Sequence, residues 1–291
     1  MAKDVKNRAA SVRARLLTLS KTNGQTFELV LTRFALERLL YRLSLSPHAD
    51  RFVLKGAMLL MTWLKEPHRG TRDLDFLGFG DPSPDAMLAV FRDILKQGSD
   101  DGVQFDTQGL RVDRIREELE YGGLRLRTTA AIGSARINVT VDIGFGDSLE
   151  PGAELVDYPV MLDLPSPRLR AYARETVIAE KFQAMVVLGR ANSRMKDFYD
   201  IWVLSRSFPF DDDRLARAIA ATFQRRNTPI PTGLPDALSS AFAADEQKQQ
   251  QWRAFVTDVA LDPGSLADVT DALSQFLMPR LAAAAEIAKE G

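Results

Sequence analysis

The sequence predicts an α+β protein: an N-terminal lobe with a mixed or antiparallel sheet and flanking helices, followed by an α-helical C-terminal lobe. Three observations predict it. Strand-like runs broken by turn residues and one helix recur from 73 to 145; helical periodicity takes over after 175; and a proline-rich connection, Pro151 to Pro167, separates the two. A boundary near 165 gives lobes of 1–165 and 166–291, and the 291-residue length admits two cores of the usual size, roughly 100 to 200 residues each.

Residues 4–20 and 26–45 read as two helices. In the second, Phe27, Val30, Leu31, Phe34 and Tyr41 share one face at helical spacing while Leu29, Leu36, Leu39, Leu40 and Leu43 share the opposite one, so this helix is expected to be buried. Ser46-Pro47 ends it. The apolar run Phe52-Val53-Leu54 then meets Lys55-Gly56, and Ala57 to Leu64 resumes helix-like, giving strand, glycine turn, helix. A loop from Lys65 to Arg72 leads into the alternating strand Asp73-Leu74-Asp75-Phe76-Leu77. After a helix over 85–97 come strand-like runs near 103–112, 124–131 and 136–145, the last two joined by a Gly133-Ser134 turn, which together read as an antiparallel meander. The second lobe reads as helices over 175–188, 196–207, 212–224, a weaker 236–260, and 265–289.

Composition narrows the chemistry. There is no cysteine, which removes disulfide frameworks, thiolate nucleophiles and zinc clusters built on sulfur; with His48 and His68 the only histidines, histidine-rich metal sites go too. The first residues never reach an apolar core of the secretory type, and the most apolar early stretch, Phe52 to Leu64, is short and carries Lys55, so a cytoplasmic protein without a membrane span is expected. A net charge of −1 gives the whole molecule no electrostatic footprint for nucleic acid. Arginines do gather locally, at Arg111, Arg114, Arg116, Arg125, Arg127 and Arg136 and again at Arg168, Arg170, Arg174, Arg190 and Arg194, where the plain alternative is solvated charge balanced by nearby acids.

Asp73 and Asp75 lie two apart on a strand, so both carboxylates point to one face. Like charges so close repel unless a cation lies between them, and a hard ion such as Mg²⁺ suits oxygen ligands and bridges to phosphates. Asp142, in the strand RINVTVDIGF, faces opposite to Ile137, Val139, Val141 and Ile143. Antiparallel beside the first strand it would complete a three-carboxylate cluster suited to metal-assisted phosphoryl or nucleotidyl transfer; otherwise it is a solvent-facing strand residue.

FVLKGAMLLMTWL, TRDLDF, VDIGFGD, AEKFQAM and RMKDFYDIW, in this order, resemble the AbiEii toxin family, a branch of the DNA polymerase β-like nucleotidyltransferases, over roughly residues 30–205. The resemblance implies an NTP-dependent nucleotidyltransferase, the toxin of an abortive-infection toxin–antitoxin pair active against phage, with Mg²⁺ as cofactor, a cognate antitoxin as partner and the tRNA 3′ end as acceptor. It implies metal ligands at Asp73, Asp75 and Asp142. Lys55, Gly56 and Thr71 would meet the triphosphate, Gly56 being the turn glycine and Thr71 the small hydroxyl residue two before the first acid. Ala57 stands where the family's turn carries serine, so one hydroxyl contact with phosphate is missing.

In TVIAEKFQAMVVL, Lys181 projects to the side of the stripe Ile178, Phe182 and Met185, and the resemblance makes its snorkelled head a phosphate contact in a cleft between lobes. On the next helix Met195, Phe198, Tyr199 and Trp202 form the apolar face, leaving Lys196, Asp197 and Asp200 opposite; an i, i+4 pair of Lys196 with Asp200 explains part of that pattern, and the resemblance makes all three functional candidates. Trp63, Trp202 and Trp252 read as core residues and His68 as a loop residue near the acids. Two other functions compete: nucleotidyl transfer to a small molecule such as an antibiotic, and a non-catalytic NTP-binding module.

Overall fold

The computed structural model describes residues 2–64, 70–115 and 122–290. His68, Arg116 and the centre of the loop before the acids lie outside the described residues. The chain divides into two compact units: the residues up to Gly146 with Glu154–Ala171 form one, and Asp147–Ala153 with everything from Tyr172 onward form the other. Among the described residues no helix is long and apolar enough to cross a membrane.

The first unit opens with α1 (Ala2–Thr22) and α2 (Phe27–Leu45), the latter started by Thr26, whose hydroxyl accepts from the Leu29 N–H. There follow β1 (Phe52–Lys55), α3 (Gly56–Leu60), β2 (Asp73–Gly78), α4 (Pro84–Lys96), β3 (Val103–Phe105), β4 (Arg111–Ile115), β5 (Gly123–Ile132), β6 (Ala135–Phe145), β7 (Glu154–Asp157) and β8 (Arg168–Ala171). The eight strands make one sheet in the order β3-β5-β6-β2-β1-β8-β7, with β4 also on β5.

Alternation sorts the sheet into two faces. Leu74 and Phe76 of β2, Val141 and Ile143 of β6, and Leu124 and Leu126 of β5 share one, in register across the strands and all buried. On this face the Phe52 ring lies tilted 5.6 Å from Phe76 and edge-on 5.4 Å from Phe91 of α4. The residues between them, Asp73, Asp75, Thr140, Asp142, Arg125 and Arg127, share the other face.

Three expectations about this unit are corrected. The strand carrying Asp142 runs parallel, not antiparallel, to the strand carrying Asp73 and Asp75; alternation fixes the face of a side chain but leaves strand direction undetermined. The helix expected over 57–64 is only the five residues of α3, because Met61 and Thr62 tighten into i→i−3 bonds to Met58 and Leu59. Within the connection 151–167 and just after it lie two further strands. β7 pairs antiparallel with β8, and β8 joins β1 in parallel at Leu54↔Ala171.

α2 is buried on both sides as expected, but it carries charge inside as well: Arg33, Glu37, Arg38 and Arg42 are all buried. Arg42 forks onto Asp101 at 2.7 and 3.1 Å. Arg38 donates to the Pro165 carbonyl at 3.1 and 3.0 Å, and Glu37 accepts from the Met161 N–H at 2.7 Å, which ties the 154–171 segment to the helix. Burial pushes the Glu37 carboxyl up to about 7, against the lowering pull of the Met161 N–H and Arg38.

The second unit is helical: α5 (Arg174–Leu188), α6 (Met195–Ser207), α7 (Asp212–Arg225), α8 (Ser240–Ala243), α9 (Glu246–Val256) and α10 (Leu266–Glu290). The single weak helix expected over 236–260 is broken because Ser239 and Asp245 each cap a new start, accepting from the Phe242 and Lys248 N–H groups. Trp252 is buried, as expected, and donates to the Gly264 carbonyl at 3.0 Å.

Candidate active site

Strand register assembles the charged face. Along one row stand Lys55 of β1, Asp75 of β2, Asp142 of β6, Arg125 of β5 and Asp113 of β4, each directly opposite the next. The adjacent row holds Asp73, Thr140, Arg127 and Arg111. Neighbouring strands are roughly 4.8 Å apart, so each side chain in a row reaches its neighbours.

The β1–α3 turn is shaped around Asp75. Gly56 has φ +70°, where a side chain is strained, and a Cβ there would meet the Asp75 carboxylate oxygen Oδ2 at 1.9 Å. Only glycine lets the backbone approach that carboxylate so closely. Thr71 lies just ahead of the pair, its hydroxyl 3.5 Å from the Asp73 carbonyl, at the outer limit of a hydrogen bond.

Asp142 is in register with Asp75, and its carboxylate is engaged. Arg125 donates from Nε to Oδ1 at 2.7 Å and from NH2 to Oδ2 at 2.6 Å, a fork-on-fork ion pair. The pair is open to water, with side chains 35% and 20% exposed. Hydrogen bonding to Asp142, opposed by burial and aided by the charges of Asp142, Asp73 and Asp75, raises the Arg125 pKa above its ordinary value. Sequence reasoning placed Arg125 in a general cluster of arginines and missed this partnership.

The donor set suits Mg²⁺ through Asp73 and Asp75, since that ion is commonly held by one or two carboxylates with waters and substrate phosphate completing its shell. The third acid lies beside the pair, tied to Arg125. Among the described residues no three acidic or histidine side chains stand together as a set that would hold an ion.

Of the remaining candidates, four belong to the second unit. Lys181 lies between Asp197 at 2.8 Å and Asp200 at 2.7 Å, and Arg194 approaches the second oxygen of Asp197 at 2.6 Å. Two expectations change here. Asp197 and Asp200 are buried rather than on an open face, and the Lys181 head is drawn between them instead of snorkelling to solvent. Lys196 is exposed, and the Asp200 carboxylate expected to pair with it faces Lys181.

An acidic face open to water and edged by arginines is suited to receive the phosphates of a nucleotide while a cation screens them, which is the business of nucleotidyltransferases. Comparison with sequence families gives the same class. Residues 38–282 match the family described as nucleotidyl transferase AbiEii toxin, type IV toxin–antitoxin system, and the chain belongs to that family. It is thus a toxin nucleotidyltransferase of a type IV toxin–antitoxin system, and the family implies an antitoxin partner. Among solved structures, JHP933 from Helicobacter pylori is similar at 14% identity, covering 91% of this chain and 97% of that one with a TM-score of 0.49. A second H. pylori chain, described as a nucleotidyltransferase, is similar at 15% identity over 90% and 98% of the two chains with a TM-score of 0.48. No curated protein matches the sequence.

Proposed function

We propose that this toxin moves a nucleotide from an NTP onto an acceptor, the 3′ end of tRNA, and so blocks growth during phage infection in the cytoplasm. The observation that carries the reading is the pair Asp73 and Asp75 on one open face of the sheet, with Asp142 in register beside Asp75. Bound there, Mg²⁺ would supply charge neutralisation between the carboxylates and the α-phosphate. Asp73 and Asp75 would hold the ion, with Asp142, bound to Arg125, beside them. Gly56 leaves room for the Asp75 carboxylate at the turn, while Lys55 and Thr71 flank the pair as contacts for the triphosphate.

A polyanionic acceptor is favoured by the company the acids keep. Arg111, Arg127 and, further along β6, Arg136 share the acid face at alternating positions. An arginine-studded face next to the reacting centre suits a nucleic-acid backbone better than a cationic drug. For Lys181, Asp197, Asp200 and Lys196, a nucleotide-handling role rests on the resemblance. The burial of Asp197 and Asp200 against Lys181 supports a first duty in holding α5 to α6.

Incubation with each labelled NTP, Mg²⁺ and total cellular RNA tests the reading. Label in the tRNA band is the expected result. Label in a small-molecule fraction would transfer the assignment to drug modification, and no label with any NTP would leave a binding module.

A further inference from the structure

On the acid face, Arg125 has a partner whose geometry exceeds what simple charge balance needs. An exposed ion pair is ordinarily loose, since two long side chains lose freedom for little gain in water. Here the cation is a planar fork, both of its bonds to Asp142 are short, and the carboxylate stands on the adjacent strand directly opposite. That arrangement fixes the guanidinium plane as well as its position.

The fixed group shares the sheet face of the acid pair. Arg125 is two strands from Asp75, and the charges of Asp73 and Asp75 both act on it. A guanidinium carries five N–H donors, and the two bonds to Asp142 use two of them. With 35% of its side chain in solvent, the group can take a second anion on its open side.

Electrostatics gives it an occupant. The face presents four carboxylates, those of Asp73, Asp75, Asp113 and Asp142, and a nucleotidyltransferase must bring a triphosphate to it. One divalent ion between Asp73 and Asp75 offsets only part of that repulsion. We propose that Arg125 receives a phosphate of the nucleotide, with Asp142 acting as the positioning residue that fixes the guanidinium for it. This rests on the nucleotidyltransferase reading and adds a residue to it.

The test uses the full chain and two ligands measured apart: Mn²⁺ alone, followed by electron paramagnetic resonance, and each Mg²⁺–NTP, followed by calorimetry, with melting temperature recorded for every variant. For Arg125→Ala, Mn²⁺ affinity is expected to hold or rise, because a positive charge has left the acid face. Affinity for the preferred NTP should fall about tenfold or more, the loss of one charge-assisted contact. Arg125→Lys keeps the charge but loses the fork, so its NTP affinity should fall between the two, with Mn²⁺ affinity near wild type. Asp142→Asn should weaken NTP binding several-fold, and less than additively with Arg125→Ala.

Loss of NTP affinity with Mn²⁺ affinity kept or raised is a signature that a merely structural residue does not produce. Joint loss of both affinities with a lowered melting temperature in the alanine and lysine variants alike would overturn the proposal, as would unchanged NTP affinity in Arg125→Ala. A wild-type protein that binds no NTP overturns the nucleotidyltransferase reading together with it. A wild type that binds, with Arg125→Ala binding equally well, overturns the role of Arg125 alone.

Discussion

Each unit of this protein sets a cation against aspartates at nearly the same distance, and the two arrangements differ in their access to water. Arg125 meets Asp142 at 2.6 and 2.7 Å with side chains 35% and 20% exposed. Lys181 meets Asp197 and Asp200 at 2.8 and 2.7 Å, with exposures of 11%, 1% and 0%. In the open pair the partners can be exchanged for an ion or a phosphate, since water compensates each group as it lets go. In the closed cluster a lost partner leaves a charge uncompensated in a low-dielectric interior. Bond length alone does not separate the two arrangements; solvent access does.

The sharpest way to break this contrast is to remove carboxylates from the open face. We expect Asp73→Ala and Asp75→Ala each to lower nucleotidyl transfer about a thousandfold or more, roughly 4 kcal/mol of barrier, with the melting temperature kept. Taking one acid from a face that holds four relieves repulsion, so the fold has no reason to suffer. A single-turnover assay beside a thermal melt checks both halves, and near-normal turnover in either variant would sink the acid-pair assignment.

The closed cluster should behave in the opposite way. Lys181→Met takes the ammonium from between Asp200 and Asp197, leaving Arg194 on the latter, and breaking a buried pair commonly costs about 3–5 kcal/mol. At a domain of this size that is a fall on the order of 10 °C in melting temperature. Sequence alone suggested a head snorkelled clear of the packed helix face; the two buried aspartates reverse that expectation. If Lys181→Met melts like the wild type and only its NTP dependence changes, the cluster belongs to substrate and the contrast fails.

Glu37 extends the comparison to pH. Its carboxyl sits at about 7 in the folded protein because burial disfavours the charge, against 4.5 for an ordinary glutamate. A raised carboxyl pKa means that the folded state binds the proton more tightly. The stabilising contribution is therefore fully present below about 4.5 and is lost as pH rises through about 7. Its size is on the order of 3 kcal/mol. Urea unfolding from pH 4.5 to 7.5 should show this decline, and Glu37→Gln should flatten it; an identical slope in the variant would remove Glu37 as its source.

What the sequence revealed and what it hid follow from the same physics. Period-2 alternation placed Asp73, Asp75 and Asp142 on the right face, because facing depends only on local spacing. Strand direction was misread for Asp142, since alternation is the same in both directions. β7 and β8 were hidden by flanking prolines, short length and broken alternation: exposed Leu155 stands where a polar residue would mark the outer face, and the pairing depends on distant β1. The Arg125–Asp142 partnership was legible in principle. Gly133 has φ +60° at the first position of a two-residue turn, and equal steps outward from Ile132 and Ala135 bring Arg125 opposite Asp142. By contrast, the burial of Asp197 and Asp200 left no trace in periodicity, because it depends on Lys181 arriving from another helix.

A third pair supplies the smallest effect and the cleanest control on solvent access. Arg127 donates to Asp113 at 2.6 Å, as short as the Arg125 contact, with both side chains half open to water at 53% and 56%. It lies on the same sheet face and joins the same two strands, β4 and β5, that carry Asp113 and Arg125 opposite each other. If distance governed strength, this pair would rank with the other two. High solvent exposure instead limits its contribution to about 0.2–1 kcal/mol, screened further by salt with a Debye length of roughly 8 Å at physiological ionic strength. Asp113→Asn should accordingly shift the unfolding free energy by no more than that in low salt, and the difference from wild type should shrink in 1 M salt, where the Debye length is about 3 Å. A loss approaching that of Lys181→Met, or one indifferent to salt, would show that exposure does not order these pairs and that the contrast between the sheet face and the helical cluster needs another cause.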